Sequence, residues 1–190
     1  MLYQLVQAGY WLALSTWFGG AVFVMLAAAV VFRTLREEKP VLPQVLAVNL
    51  EDQHATLLGS AVMLRLLLVV GKVQLVSALV VVVGAGMHFG VADVNGQNQT
   101  AAILRVVLAV VAAGVVAYER WVVAPRLARN RQSYIDHADD PDTANPAKDA
   151  FDRDQQLSLT LLLATVCLLV GLVLFSSAIT PAGTLRTLVD

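Results

Sequence analysis

LYQLVQAGYWLALSTWFGGAVFVMLAAAVVF, running from Leu2 to Phe32, contains no Lys, Arg, Asp or Glu. A peptide group taken into hydrocarbon must find its hydrogen bond within the protein, so such a run is stable there only as a helix. About 20 residues cross the apolar layer, and this run has enough to cross with tilt. Tyr3, Tyr10, Trp11 and Trp17 gather toward its start, where amphipathic rings favour the headgroup level. A cleaved leader ending near Ala27, Ala28 and Ala29 is the competing reading, but the run has no basic start and is longer than a leader needs. The stretch reads as an anchor.

Working outward, Arg33-Thr-Leu-Arg-Glu-Glu-Lys39 ends the run, and Pro40 and Pro43 forbid regular helix there. A short amphipathic segment follows at 45–54. From Ala55 to His88 the chain is apolar again, broken only by Arg65 and Lys72. Dividing it at Gly71 would leave no polar turn and set Arg65 in mid-membrane, at a cost of several kcal/mol. One long helix is therefore expected, projecting into the cytoplasm at its start. Two further uncharged or nearly uncharged runs give spans at about 5–32, 71–89 with an extension from about 55, 101–123 and 157–179.

Composition agrees with this reading. Hydrophobic residues make up 58% of the chain and charged ones 14%, against about 25% charged in soluble domains. A net charge of -1 lacks the clustered positive charge a nucleic-acid partner requires. The partner implied is the lipid bilayer. A single cysteine, Cys167, excludes an internal disulfide.

Eleven of the 13 Lys and Arg residues flank the first and third connections, leaving Arg105 and Arg186 on the other side. Cytoplasmic loops carry the basic excess, so both termini are expected outside. The fold expected is a single all-α domain over residues 1–190, an integral membrane four-helix bundle, N-out/C-out. Residues 126–156, basic first and acidic after, are expected to form a long cytoplasmic loop.

Candidate chemistry is sparse. Glu51 and His54 have the Glu-x-x-His spacing of di-iron bundles, but those sites need two copies. Haem between helices needs two histidines at one depth; His54 and His137 fall on the inner side and His88 near the outer interface. No cofactor, metal set or catalytic pair is assigned. Glu119 is the one acidic residue inside the spans, near the expected depth of Lys72. A carboxylate there is costly unless paired, so a clamp from Glu119 to Lys72 or Arg65 is expected. Small residues four apart, such as Ser15 and Gly19 or Thr16 and Gly20, permit close helix contact, within the chain or in a homo-oligomer or with other membrane proteins.

Trp17-Phe-Gly19-Gly20 in the first span, Tyr118 and Pro125-Arg126 leaving the third, and Phe151 to Ser158 leading into the fourth resemble the TMEM205-like family of small four-helix membrane proteins (the bacterial DUF4149 group). Family members typically carry a histidine between that Phe and Ser; this chain has Gln155. The resemblance implies a non-enzymatic protein of a bacterial inner membrane with an accessory or transport-related role, metal handling having been suggested for relatives. Two alternatives make different structural demands. A small transporter for metal ions or other solutes requires a polar path, here Ser15, Thr16, Trp17, Ser77 and Glu119. A structural subunit of a larger complex requires a dry bundle with one face given to partners.

Overall fold

The computed structural model describes residues 2–38, 54–92, 99–137 and 140–177. Every element in it is helical: α1 (Leu2–Glu38), α2 (His54–Ala92), α3 (Gln99–Tyr118), a π-helical turn (Glu119–Val123), α4 (Ala124–Asp136) and α5 (Pro141–Ser177). Helix α4 continues α3 through the π turn, so four long rods build the molecule, and all four are long and apolar enough to cross a membrane. At about 1.5 Å per residue, the 37 residues of α1 extend well beyond a hydrocarbon layer of about 30 Å.

α1 and the α3–α4 rod each pack against both α2 and α5, closing a ring in which consecutive rods are neighbours. Tyr10 near the start of α1 meets Gly84 and His88 near the end of α2 and Ser176 at the end of α5. The rods therefore alternate in direction. The end holding the α1–α2 and α4–α5 connections is called the basic end here, and the opposite one the terminal end.

Buried positions step by three and four residues. They run Tyr10, Leu14, Trp17, Ala21, Val24 and Ala28 in α1, and Ala102, Arg105, Ala109, Ala112 and Val116 in α3. That seven-residue repeat is the signature of helices wound gently left-handed around one another. Alanine at three of these five α3 positions keeps that face of the helix small, which lets its neighbours pack closely. The outward faces are apolar too, with Leu12, Phe23, Val76, Leu79 and Leu174 exposed. A surface of this kind is stable against lipid and not against water; the chain is an all-α, four-helix membrane bundle.

Residues 126–156 differ from the expected loop. Residues 126–136 and 141–156 are helical, joined by a short reversal around His137 and Asp140. Asp140 caps the start of α5: its Oδ2 accepts from Thr143 Oγ1 at 2.7 Å and its Oδ1 from the Asp142 amide at 3.3 Å. Pro141 follows at the first helical position, where its missing N–H is no loss. The hairpin is held to the bundle by Leu57, Tyr134 and Ala144, and Asn130 donates to Asp154 Oδ2 at 2.7 Å. Arg131 reaches across to Ser60 Oγ and the Leu57 carbonyl, each at 3.2 Å. The amphipathic segment at 45–53 and the terminal stretch 178–190 lie outside the described residues.

Candidate functional site

Two groups of polar side chains interrupt the apolar interior, one toward each end. At the terminal end Tyr10, His88, Arg105 and Ser176 are all buried. The Tyr10 hydroxyl and Ser176 Oγ share a 2.7 Å hydrogen bond, and Ser176 Oγ also bonds the Leu172 carbonyl. The Arg105 guanidinium lies 5.4 Å from the Tyr10 ring centroid, within the range of a cation–π attraction. His88 meets the same ring edge-on at 5.8 Å. His88 was expected at the outer interface; it is instead packed within the bundle. Arg105 was expected simply as an outer-side charge and is almost fully enclosed.

At the basic end the π turn decides the geometry. Pro125 has no N–H for the carbonyl four residues back, and its ring crowds that carbonyl. The chain widens one turn in response: the Ala124 amide bonds the Glu119 carbonyl five residues back. Such bulges re-aim side chains and recur at functional sites. Glu119 turns toward α5, where Ser158 Oγ donates to its Oε1 at 3.2 Å. No ion pair within 4 Å joins it to Lys72 or Arg65, both of which are exposed on the outer face of α2. The expected clamp is thus replaced by a hydroxyl partner. The physical reason is azimuth. Gly71 and Gln74 are buried positions of α2, so Lys72, one residue past Gly71, points away from the bundle.

Gln74, Glu119, Ser158 and Thr165 line one small void of about 20 Å³, walled by Leu67 and Val116. A second void of about 40 Å³ lies toward the basic end, lined mostly by apolar side chains such as Ala28, Phe32, Met63 and Leu127, with Ser60, Gln155 and Ser158 as its polar members. Leu67, Ser158 and Leu162 belong to both walls, so the two voids adjoin and are together called the cleft. Gln74 Nε2 is buried without a hydrogen-bond partner, as is Trp17 Nε1. Past the cleft, Trp17, Ala78, Val81, Ala109, Ala112 and Leu169 fill the interior.

The remaining sequence candidates separate from this site. Ser15 and Thr16 are exposed, Thr16 bonding its own Leu12 carbonyl at 2.8 Å. With Ser77 buried elsewhere in the core, the polar path predicted from Ser15, Thr16, Trp17, Ser77 and Glu119 is not assembled. Gly20 packs on Val70 at a distance that would still admit a Cβ, whereas Gly19 faces open space. Tyr118 and Pro125 are exposed, and Phe151 is buried on the face of α5 that also carries Asp154 and Ser158. His137 is exposed and bonds the Ser133 carbonyl; the His54 side chain lies outside the described residues. Among the described residues no three His, Cys, Asp or Glu side chains converge as metal ligands. Sequence reasoning missed Gln74, a single amide at a buried heptad position between Gly71 and Ala78.

Comparison with family models, curated proteins and solved structures finds no match for this chain.

Proposed function

We propose that this is a non-enzymatic protein of a bacterial inner membrane, TMEM205-like in type, whose role is transport-related: it admits a small polar solute from the cytoplasm into the cleft that ends at Glu119. The basic end faces the cytoplasm in this reading, in keeping with the distribution of Lys and Arg. One observation carries the proposal. A carboxylate in the third apolar span lines the inner of two adjoining voids toward the basic end, and its hydrogen-bond partner is the neutral Ser158 hydroxyl. Intramembrane carboxylates are costly and mark solute or proton pathways in membrane proteins. The apolar plug beyond the cleft gives the closed state that an alternating path would need on its far side.

The rival reading, a subunit of a larger assembly, draws support from the dry centre and from outward glycines such as Gly86 and Gly114, whose surroundings are open. Thiol labelling separates the two. In a Cys167→Ser background, Gln155→Cys and Ser158→Cys should react with a membrane-impermeant maleimide in inside-out vesicles and not in right-side-out ones. Ala109→Cys, in the plug, should react in neither. Protection of Gln155→Cys and Ser158→Cys from both sides, together with stoichiometric co-purifying subunits in mild detergent, would replace the transport reading with the subunit one.

A further inference from the structure

The lining of the inner void specifies what it can hold. Gln74, Ser158 and Thr165 are 7%, 8% and 3% exposed, so this is a built polar surface and not a fringe of the headgroup region. Thr165 spends its hydroxyl proton on the Leu161 carbonyl at 2.8 Å. Ser158 spends its own on Glu119. Both oxygens are left with lone pairs only, and the Glu119 carboxylate, when ionised, adds acceptors alone. The Gln74 amide lines the same space and carries one carbonyl oxygen, an acceptor. Four side chains therefore offer oxygen, and their formal charge is -1.

We propose that the void between Gln74, Glu119, Ser158 and Thr165 is a binding site for one monovalent cation of about the size of sodium. This rests on the reading of the cleft as a cytoplasmic path and names the class of its ligand. A void of about 20 Å³ accommodates a single water-sized particle, which is the size of a bare inorganic cation. Hard cations take oxygen ligands, and divalent ones are held by several carboxylates or keep a large water shell; one carboxylate and three neutral oxygens balance a single charge. Thiolate and imidazole, which select transition metals, are not in the lining. Arg120, beside Glu119 in sequence and within electrostatic reach of it, opposes an incoming cation and keeps binding weak and reversible.

The test uses the purified full-length chain in mild detergent, followed by thermal unfolding at constant ionic strength with NaCl replacing choline chloride. A ligand bound by the folded state alone raises the transition in proportion to its saturation. Sodium is expected to raise Tm in a saturable manner. Glu119→Gln and Gln74→Leu should abolish the rise, Arg120→Gln should lower the half-saturating concentration, and Lys72→Ala should leave it unchanged. Ser158→Ala and Thr165→Val, which retain folding volume, should each raise that concentration severalfold. No sodium-specific rise in the wild-type chain, or a rise that persists in Glu119→Gln, overturns the site. Labelling of the cleft from the cytoplasmic side without a sodium effect would remove the cation and leave the cleft; absence of labelling with a sodium effect would do the reverse.

Discussion

The two polar groups inside this bundle are built from similar kinds of residue and are organised in opposite ways. At the terminal end Tyr10 ties α1 to α5 through Ser176 and meets His88 of α2 and Arg105 of α3 through its ring. One side chain thereby touches every other rod, and Gly84 lies directly against it. At the basic end Glu119 has a single hydroxyl partner, Gln74 Nε2 has none, and a void separates them. Polarity in lipid can thus serve as a fastener where one ring joins the rods and as a site where a void lies between the polar groups. Burying a polar group without a partner costs about 1–3 kcal/mol, a cost that packing alone gives no reason to retain.

The comparison makes the fastener the more fragile end. Tyr10→Ala removes a ring in contact with all three neighbouring rods and should lower unfolding stability in mixed micelles by about 3–5 kcal/mol, the range for deleting a buried aromatic. Tyr10→Phe, which loses only the hydrogen bond to Ser176, should lose about 1 kcal/mol. If the two variants proved equally mild, the terminal cluster would not be what closes the bundle.

A smaller effect comes from Gly84. A Cβ there would stand 2.9 Å from Tyr10 Cδ2 and 3.3 Å from its Cβ, so the ring that joins the rods must shift. Gly84→Ala should therefore cost about 1–3 kcal/mol through overpacking. Gly86→Ala, two residues on and facing open space, should stay within about 0.5 kcal/mol of the parent. Equal behaviour of the pair would mean that Tyr10 is not held where the structure places it.

At the basic end the sign reverses. Gln74→Leu replaces an unpartnered buried amide by an apolar side chain of similar size, so stability should rise by up to about 1 kcal/mol in the absence of sodium. Gain of stability with loss of a ligand response is the pattern of a residue kept for function. A clear loss of stability would show that the Gln74 amide is satisfied, and the contrast between the ends would fade.

The bundle was legible because charge is excluded from hydrocarbon. The runs at 2–32, 55–88, 101–123 and 157–179 mark themselves by what they lack, and their described residues are helical. The stretch 126–156 was misread because its acidic composition outweighed its punctuation. Asp140-Pro141 is a cap followed by a first-turn proline, and Phe151, Asp154 and Ser158 recur at three and four residues. The site was half legible. Glu119 stood out as an acid among apolar residues, whereas Pro125, expected to mark the exit from the third span, lies in a helix that continues past a π turn. Its partner was mistaken because sequence gives depth along a helix more readily than direction around it; the seven-residue separation of Arg65 and Lys72 puts them on one face, which is the outer one. Gln74 carries no charge and so raised no signal.

The smallest expected effect lies beyond the bundle, where α5 begins. The Thr143 hydroxyl bonded to Asp140, helped by the Asp142 amide, holds this carboxyl below its ordinary range. A carboxylate with a depressed value stabilises the fold above the pKa of the unfolded chain, about 3.9 for Asp, and loses that contribution as pH falls through the lower, folded value. Acidification across and below that range should therefore fray the first turn of α5, seen as faster hydrogen exchange at the Thr143 and Ala144 amides, both of which bond the Asp140 carbonyl. Asp140→Asn should remove the pH dependence while keeping most of the cap. Amides around Ser176 at the other end of the same helix should not respond, because the fastener there has no carboxylate among its described residues. A response that spread along α5 to Ser176 would mean that the two ends are coupled through the helix, and the division between an open site and a closed fastener would have to be drawn elsewhere.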